Sequence, residues 1–356
     1  MSAEVLVAIL HAEAGPGAGP LTRATADVRR ALAERHASGF LEDGATRTTV
    51  VAGPPDDRPF GARLRVLGAD AGEGGLVVLG SGALPLATAA DRRELVAAAA
   101  SPRPGALANN RYSADVVAIS CARSTLADLP DLDADNGLPR WLAEVRGVPV
   151  DDLRHRWRLG VDIDGPLDLV LLGGRWPAAL ADAATARVRT ALARIRAVTA
   201  DPLAELVVAG RVSAANLAWL EARTASRTRA LIEERGLRTR RPGQRPAASV
   251  LGALLEREGA GSLGAHLARL GDAAIVDTRV LLAHRGGADE SGWPSAEDRF
   301  ASDLLLAERI ADPWLRELTT AAANAPIPIL LGGHTLVGPG LRLAARRRTS
   351  AAGTRS

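Results

Sequence analysis

The chain has 356 residues, a length that fits about two domains of roughly 150 residues each. Apolar residues make up 47% and charged residues 24% of it, which is typical of packed globular proteins. The apolar runs are too short to cross a bilayer, the first residues lack a signal-peptide pattern, and Cys121 is the only cysteine. These features argue against a membrane segment and a disulfide framework, and we expect a cytoplasmic protein.

All 44 basic side chains are arginine, since the sequence contains no lysine. Schiff-base catalysis and a phosphate-loop lysine are therefore excluded, and arginine, backbone N–H groups or metal must bind any phosphate. The net charge is only +3, and the isoelectric point near 10.1 follows because arginine keeps its charge to high pH. The high isoelectric point is therefore poor evidence for binding to nucleic acid, and we expect no such partner.

The first half of the chain alternates short apolar runs with amphipathic stretches. Residues 5–10 predict a buried strand, 15–20 a glycine-rich loop and 22–40 a helix. Further strands are predicted at residues 48–52, 64–67, 75–79 and 115–120, and helices at 89–100, where Thr88 is a candidate cap, and at 138–146. Strands that alternate with helices predict a mostly parallel sheet in an α/β fold.

The pattern becomes mainly helical after about residue 176. A helix beginning at Pro166 precedes this change, and the longest helical stretches follow it at residues 181–200 and 214–234. A basic connector at 237–246 leads to helices that alternate with short apolar runs at 273–283 and 327–331. We therefore expect an α/β domain at residues 1–176, a mainly helical α/β domain at 177–345 and a disordered basic tail at 346–356.

Two glycine loops are candidates for nucleotide binding. Gly15, Gly17 and Gly19 follow the first strand, where backbone N–H groups can approach a phosphate at the next helix. Their spacing matches neither the dinucleotide fingerprint nor the phosphate loop, so an ordinary turn is the alternative. The second loop, at Gly80, Ser81 and Gly82, follows a strongly apolar strand and would lie at its carboxyl end, where open α/β sheets bind ligands. A structural turn remains open there too.

A third candidate is the polar segment at residues 107–115. Arg111 suits a phosphate, and amide, hydroxyl and phenol groups nearby suit a base, a sugar or another substrate. These candidate substrate-binding residues are Asn109, Asn110, Tyr112 and Ser113. The alternative is a polar loop tip without a role.

The fourth candidate is acidic. Asp162 and Asp164 follow a short apolar stretch and suit Mg²⁺, which prefers oxygen ligands and often shares them with substrate phosphates. Helix capping around Pro166 is the alternative. The histidines show no zinc-ligand spacing, and His334 after two glycines is more typical of a structural residue.

Residues 159–169, with the sequence LGVDIDGPLDL, resemble the closing motif of 2-phospho-lactate guanylyltransferases and the related molybdenum-cofactor guanylyltransferases. The order of parts over residues 1–175 is similar as well, with a Pro85-Leu86 turn, a substrate loop and then this acidic motif. The resemblance implies a three-layer, Rossmann-like glycosyltransferase A-type fold and the use of Mg²⁺. It also implies transfer of a nucleoside monophosphate from a triphosphate to a small phosphorylated acceptor, with release of pyrophosphate. Asp162 and Asp164 would then be the metal-side acids.

The chain departs from this family at two places. Relatives have an aspartate before the Pro-Leu turn, where this chain has GSGA at residues 80–83, and the first loop lacks their basic pattern, for which Arg23 is the nearest substitute. A nucleotide-sugar glycosyltransferase that uses Asp133 and Asp135, or a non-catalytic nucleotide-binding or assembly protein, are the alternatives. After residue 178 no family is recognised, which leaves acceptor binding, formation of a homodimer and regulation open.

Overall fold

The computed structural model describes residues 4–54, 58–132, 135–174, 180, 182–237 and 243–345. The chain divides into two compact units, whose described residues are 4–54, 58–132 and 135–165 in the first and 166–174, 180, 182–237 and 243–345 in the second. Three predicted features lie outside the described residues: the domain boundary at residue 176, the basic tail at 346–356 and the candidate metal ligand Asp133. The side chain of Asp135 lies outside them too. Among the described helices, none is both long and apolar enough to span a bilayer.

The first unit is built on a six-stranded sheet. Its strands are β1 (Val5–Ala12), β2 (Arg47–Gly53), β3 (Gly75–Gly80), β4 (Ala106–Ala108), β5 (Val116–Ile119) and β6 (Val150–Asp152). Its helices are α1 (Pro20–Glu42), α2 (Phe60–Ala71), α3 (Ala89–Ala99), α4 (Ala122–Leu126) and α5 (Leu138–Glu144). Helix α3 begins as predicted, with a capping box in which Thr88 and Asp91 bond to each other's backbone N–H.

The order of the sheet is β2-β1-β3-β5-β4-β6, and five of these strands run in one direction. Only β5 among the strands of this sheet is antiparallel, and it pairs with β3 and β4. The carboxyl ends of the five parallel strands therefore lie at one edge, together with the amino end of β5. This arrangement confirms the α/β class and the mostly parallel sheet.

Helices cover both faces of this sheet because successive strand residues point to opposite sides. Val5, Val7 and Ile9 of β1 face a core that includes Phe40 of α1 and Leu95 of α3. The alternate residues of β1 face a second core, which includes leucines of the helices α2, α4 and α5. The unit thus has three layers, helix, sheet and helix.

The second unit is also α/β. Its strands are β7 (Glu205–Gly210), β8 (Arg227–Ile232), β9 (Ala273–Asp277) and β10 (Ile329–Gly332), all parallel in the order β10-β9-β7-β8. Its helices are α6 (Pro166–Leu172), α7 (Asp182–Val198), α8 (Ala214–Arg223), α9 (Val250–Glu258), α10 (Leu263–Ala268), α11 (Thr278–Gly286), α12 (Ala296–Asp303), α13 (Pro313–Ala323), α14 (His334–Val337) and α15 (Leu341–Ala345). Helix α6, expected at the end of the first domain, belongs to this second unit.

Two element predictions are wrong. Residues 64–67 were expected to form a strand but lie within α2, where Leu64, Leu67 and Ala71 are buried at helical spacing. Residues 214–234 were expected to form one helix, but α8 ends at Arg223 and β8 follows. Strand β8 lies at the edge of its sheet and is largely exposed, so it lacks the apolar run of a buried strand. The apolar run 273–283 is a strand followed by a helix, because Asp277 caps α11.

Candidate functional site

The loop that follows β3 contacts strand β1 and the polar segment between β4 and β5 at the carboxyl edge of the first sheet. The Ser81 N–H donates to the Leu10 carbonyl oxygen at 2.8 Å, which ties the second glycine loop to the end of β1. The Gly80 N–H donates to the Asp115 carbonyl oxygen at 3.2 Å, which ties it to the polar segment before β5. These bonds bring two of the candidate loops into contact.

The first glycine loop leads into α1 with open space around it. Apart from their neighbours in the chain, no atom of the described residues lies within 4 Å of the Cβ position of Gly15 or Gly17. Gly19 is the N-cap of α1 and makes no side-chain cap bond within the part of the chain that the structure describes, and the first turn holds no acidic residue. Arg23 lies in that first turn and donates from Nη1 to the Ala18 carbonyl oxygen. A loop of this kind suits the approach of an anion to backbone N–H groups.

The second glycine loop is held by a tight turn. Ala83 N–H donates to the Gly80 carbonyl oxygen at 3.0 Å, and Leu84 adopts a positive φ of 57°. The buried Ser81 hydroxyl lies 3.0 Å from Nδ1 of the buried His11. Strand register explains this contact, because Leu10 pairs with Gly80 and the following residues project to the same face.

The acidic motif lies directly against this loop. Ala83 and Asp162 form an antiparallel bridge, and the Ile163 N–H donates to the Gly82 carbonyl oxygen at 3.0 Å. A Cβ at Gly82 would lie 2.7 Å from Asp162 Oδ1, so a side chain has no room there. Two candidates that are eighty positions apart in the sequence therefore share one place in the fold.

Arg29 of α1 lies beside the acidic motif. Its Nε donates to the Ile163 carbonyl oxygen at 2.5 Å, and its Nη2 lies 3.6 Å from Asp164 Oδ1. The Asp164 side chain is 55% exposed, whereas Asp162 Oδ1 accepts the Ile163 N–H at 2.8 Å. The motif thus has one exposed carboxylate, that of Asp164, and one carboxylate, that of Asp162, that accepts a backbone hydrogen bond.

Asn109 has a structural role in the polar segment. Its Nδ2 donates to Asp115 Oδ2 at 2.7 Å and to the Leu159 carbonyl oxygen at 2.9 Å. Its Oδ1 accepts the N–H groups of Asp115 and Val116 at 2.9 and 3.3 Å. The side chain is buried, and its amide hydrogen bonds hold the segment in its loop conformation.

The tip of the segment, residues 110–113, is partly or fully exposed. The Tyr112 ring is 52% exposed, and the guanidinium carbons of Arg111 and Arg154 lie 5.7 and 5.4 Å from its centroid. The Asn110 carbonyl and amide oxygens accept the backbone N–H groups of Ser113 and Tyr112, which forms a turn. Two cations around an exposed phenol suit an anionic or aromatic ligand.

A cavity of about 350 Å³ lies at the same edge of the sheet. Its lining is mostly apolar, from Leu10, Phe60, Val116 and Leu138, with Gly80 at the strand end. This volume is within the range of small-molecule pockets, about 300–1,000 Å³. Apolar walls at this position suit the flat part of a ligand, such as a base.

Burial keeps two histidines of this unit neutral. Desolvation lowers the pKa of His36 to about 4, although its Nε2 contacts the Ala83 carbonyl oxygen at 2.9 Å. Desolvation also lowers the pKa of His11, and the positive charge of Arg30 acts in the same direction. Both rings are therefore uncharged at neutral pH.

Among the described residues, no three His, Cys, Asp or Glu side chains form a cluster that could hold a metal ion. Comparison of the chain with protein families, with curated proteins and with solved structures found no match.

Sequence reasoning overlooked three residues of this edge: His11, Arg29 and Arg154. His11 extends β1 beyond the predicted strand, at a position that faces inward, and a polar residue directly after a continuous apolar run was the available signal. Arg29 and Arg154 carried no signal, because arginine is the basic residue everywhere in this chain.

Proposed function

We propose that the first unit binds a nucleoside triphosphate at the carboxyl edge of its sheet and transfers the nucleoside monophosphate to a small phosphorylated acceptor. The observation that carries the proposal is the contact of Asp162 with Gly82, which joins the acidic motif to a glycine loop at the ligand-binding edge of an open α/β sheet. The glycosyltransferase A-like fold is part of the same proposal.

In this proposal the two glycine loops hold the nucleotide. Backbone around Gly15 and Gly17 approaches the phosphates, and the apolar cavity beside Gly80 takes the base. Arg23 and Arg29 contribute positive charge near the phosphates. An acceptor phosphate oxygen attacks the α-phosphorus, the bond between that phosphorus and the bridging oxygen breaks, and pyrophosphate leaves with the electron pair. Catalysis is then mainly alignment and charge neutralisation.

Asp162 and Asp164 would hold Mg²⁺. Two carboxylates are a suitable donor set where substrate phosphates complete the shell, because Mg²⁺ is commonly bound by one or two carboxylates together with phosphates. When bound, the ion would neutralise the charge that develops on the phosphate oxygens. Arg111 and Tyr112, with Arg154, would orient the anionic acceptor.

The test is a thermal-shift panel of triphosphates and nucleotide sugars with and without Mg²⁺, followed by a pyrophosphate-release assay. We expect a metal-dependent rise in melting temperature with one triphosphate, since a ligand that binds only the native state stabilises it. The D164N variant should lose this metal dependence, whereas D70N, at a similarly exposed aspartate, should behave as the wild type. No shift with any nucleotide would contradict the proposal, and a preference for nucleotide sugars would favour the glycosyltransferase.

Nucleotide binding without turnover is the second candidate. It is favoured by the segment GSGA at residues 80–83, which offers no carboxylate where the family that the chain resembles has a metal-binding aspartate. This candidate predicts a thermal shift that is indifferent to Mg²⁺, and no pyrophosphate with any phosphorylated acceptor tested.

A further inference from the structure

His11 and Ser81 interrupt an apolar face of the first sheet. The residues before them on the same face are apolar: Val5, Val7, Ile9, Val77 and Leu79. Burial of a hydroxyl and an imidazole in such a place is unfavourable unless the two groups bond to each other. They do so here, at 3.0 Å between Ser81 Oγ and His11 Nδ1.

The imidazole is in the form that accepts a proton. Burial lowers the pKa of His11, Arg30 and Arg29 lower it further, and the negative charges of Glu13 and Asp27 act in the opposite direction. A nucleophile and its base commonly lie about 2.6–3.2 Å apart, and the Ser81–His11 distance falls in this range.

The surroundings of Ser81 suit a phosphorylated ligand. The residue lies in the turn after β3, between two glycines. Apart from the chain neighbours of Gly80, no atom of the residues that the structure describes lies within 4 Å of the Cβ position of Gly80. On the other side, Arg29 Nε lies 3.1 Å from the Cβ position of Gly82. A guanidinium so close to the turn can neutralise the oxygens of a phosphoryl group.

We propose that Ser81 is a nucleophile and His11 its general base, in a site that takes phosphorus electrophiles. Ser81 Oγ attacks the phosphorus, the Oγ proton passes to His11 Nδ1, and the bond to the leaving oxygen breaks with the electron pair on that oxygen. The product is a phosphoester of Ser81, which water then cleaves at the phosphorus to release the serine hydroxyl, so that this reaction is separate from the direct transfer to an acceptor. The inference depends on the proposed function only where it takes a nucleotide to be the natural electrophile. The reactivity of Ser81 and His11 themselves requires no nucleotide.

The test is the reaction of the full-length protein with an alkyl fluorophosphonate, in which the P–F bond breaks and fluoride leaves. Peptide mass spectrometry locates and times the adduct. We expect Ser81 to react at least about tenfold faster than Ser38, an exposed serine of α1 whose hydroxyl donates to a carbonyl oxygen. We expect H11Q to slow the reaction at Ser81 at least about tenfold, since a positioned base contributes roughly 10²–10⁴-fold.

Controls separate reactivity from folding. S81A should lose the adduct, S38A should keep it, and melting curves identify any variant that fails to fold. If H11Q does not fold, the wild-type comparison of Ser81 with Ser38 decides alone. Equal rates at the two serines, no adduct on Ser81, or an unchanged rate in folded H11Q would overturn the proposal. If Ser81 is labelled but no nucleotide raises the melting temperature, the proposal of a Ser81–His11 pair stands and the proposed function fails.

Discussion

Asp162 Oδ1 lies 2.7 Å from the point where a Cβ of Gly82 would be, and the carbonyl oxygen of Ile163 lies equally close. Glycine at position 82 is therefore required by the approach of the acidic motif.

We expect G82A to destabilise the first unit by about 1–3 kcal/mol, the usual cost of overpacking, because the bridge between Ala83 and Asp162 must shift. Thermal or denaturant melting measures this change. G80A is the matched control, since the Cβ position of Gly80 is free, and it should leave the melting temperature nearly unchanged. Equal effects of the two substitutions would argue against the close approach.

His36 should make the stability of the protein depend on pH between about 4 and 6.5. Its pKa is lowered from 6.5 to about 4 in the folded state, so in this window the unfolded chain binds a proton that the folded chain does not. The contribution is fully present above 6.5 and is lost as the pH falls, by up to roughly 3 kcal/mol at 1.36 kcal/mol per pKa unit. Denaturant unfolding at pH 7, 5.5 and 4 measures it, and H36Q should show a shallower slope.

Asn109 should behave as a structural residue. Its buried amide bonds to Asp115, Val116 and Leu159, so N109A leaves several polar groups without partners. We expect a loss of about 1–3 kcal/mol in the free energy of unfolding. N110A, in the more exposed turn of the same segment, should cost much less. A stable N109A that loses only ligand binding would show that the amide serves a substrate instead.

The buried ion pair of the second unit should matter more than an exposed one. Arg211 Nε lies 2.6 Å from Asp277 Oδ2, and both side chains are almost fully buried. Because R211A leaves a buried carboxylate without its cation, we expect a loss of about 3–5 kcal/mol. R187A removes the exposed pair with Glu308 and should cost less than about 1 kcal/mol. Similar melting temperatures for the two variants would contradict this ranking.

Much of the fold could be predicted from local pattern. The buried strands β1, β3 and β5 are continuous apolar runs. The start of α3 is indicated by Thr88 and the acidic residue three positions later. Strands that alternate with helices predicted a parallel sheet, and a parallel sheet collects its loops at one edge. For that reason the glycine loops and the polar segment could be expected together.

Local pattern failed where burial depends on the neighbours of a segment. The run at residues 64–67 has the apolar composition of a strand. The structure shows that it lies within a helix, whose buried residues at helical spacing pack against the sheet. Strand β8 has few buried residues, because it lies at the edge of its sheet, and so it leaves no apolar signature.

The amino-acid sequence by itself determined the α/β class, the dependence on arginine for any cationic role and the loops that carry polar residues. Only the tertiary structure decided which of these residues touch. His11 meets Ser81 seventy positions away, and Arg29 meets Ile163 across 134 positions, because strand register and helix packing set these contacts. Such pairings depend on the whole sheet at once, and no local spacing in the chain encodes them.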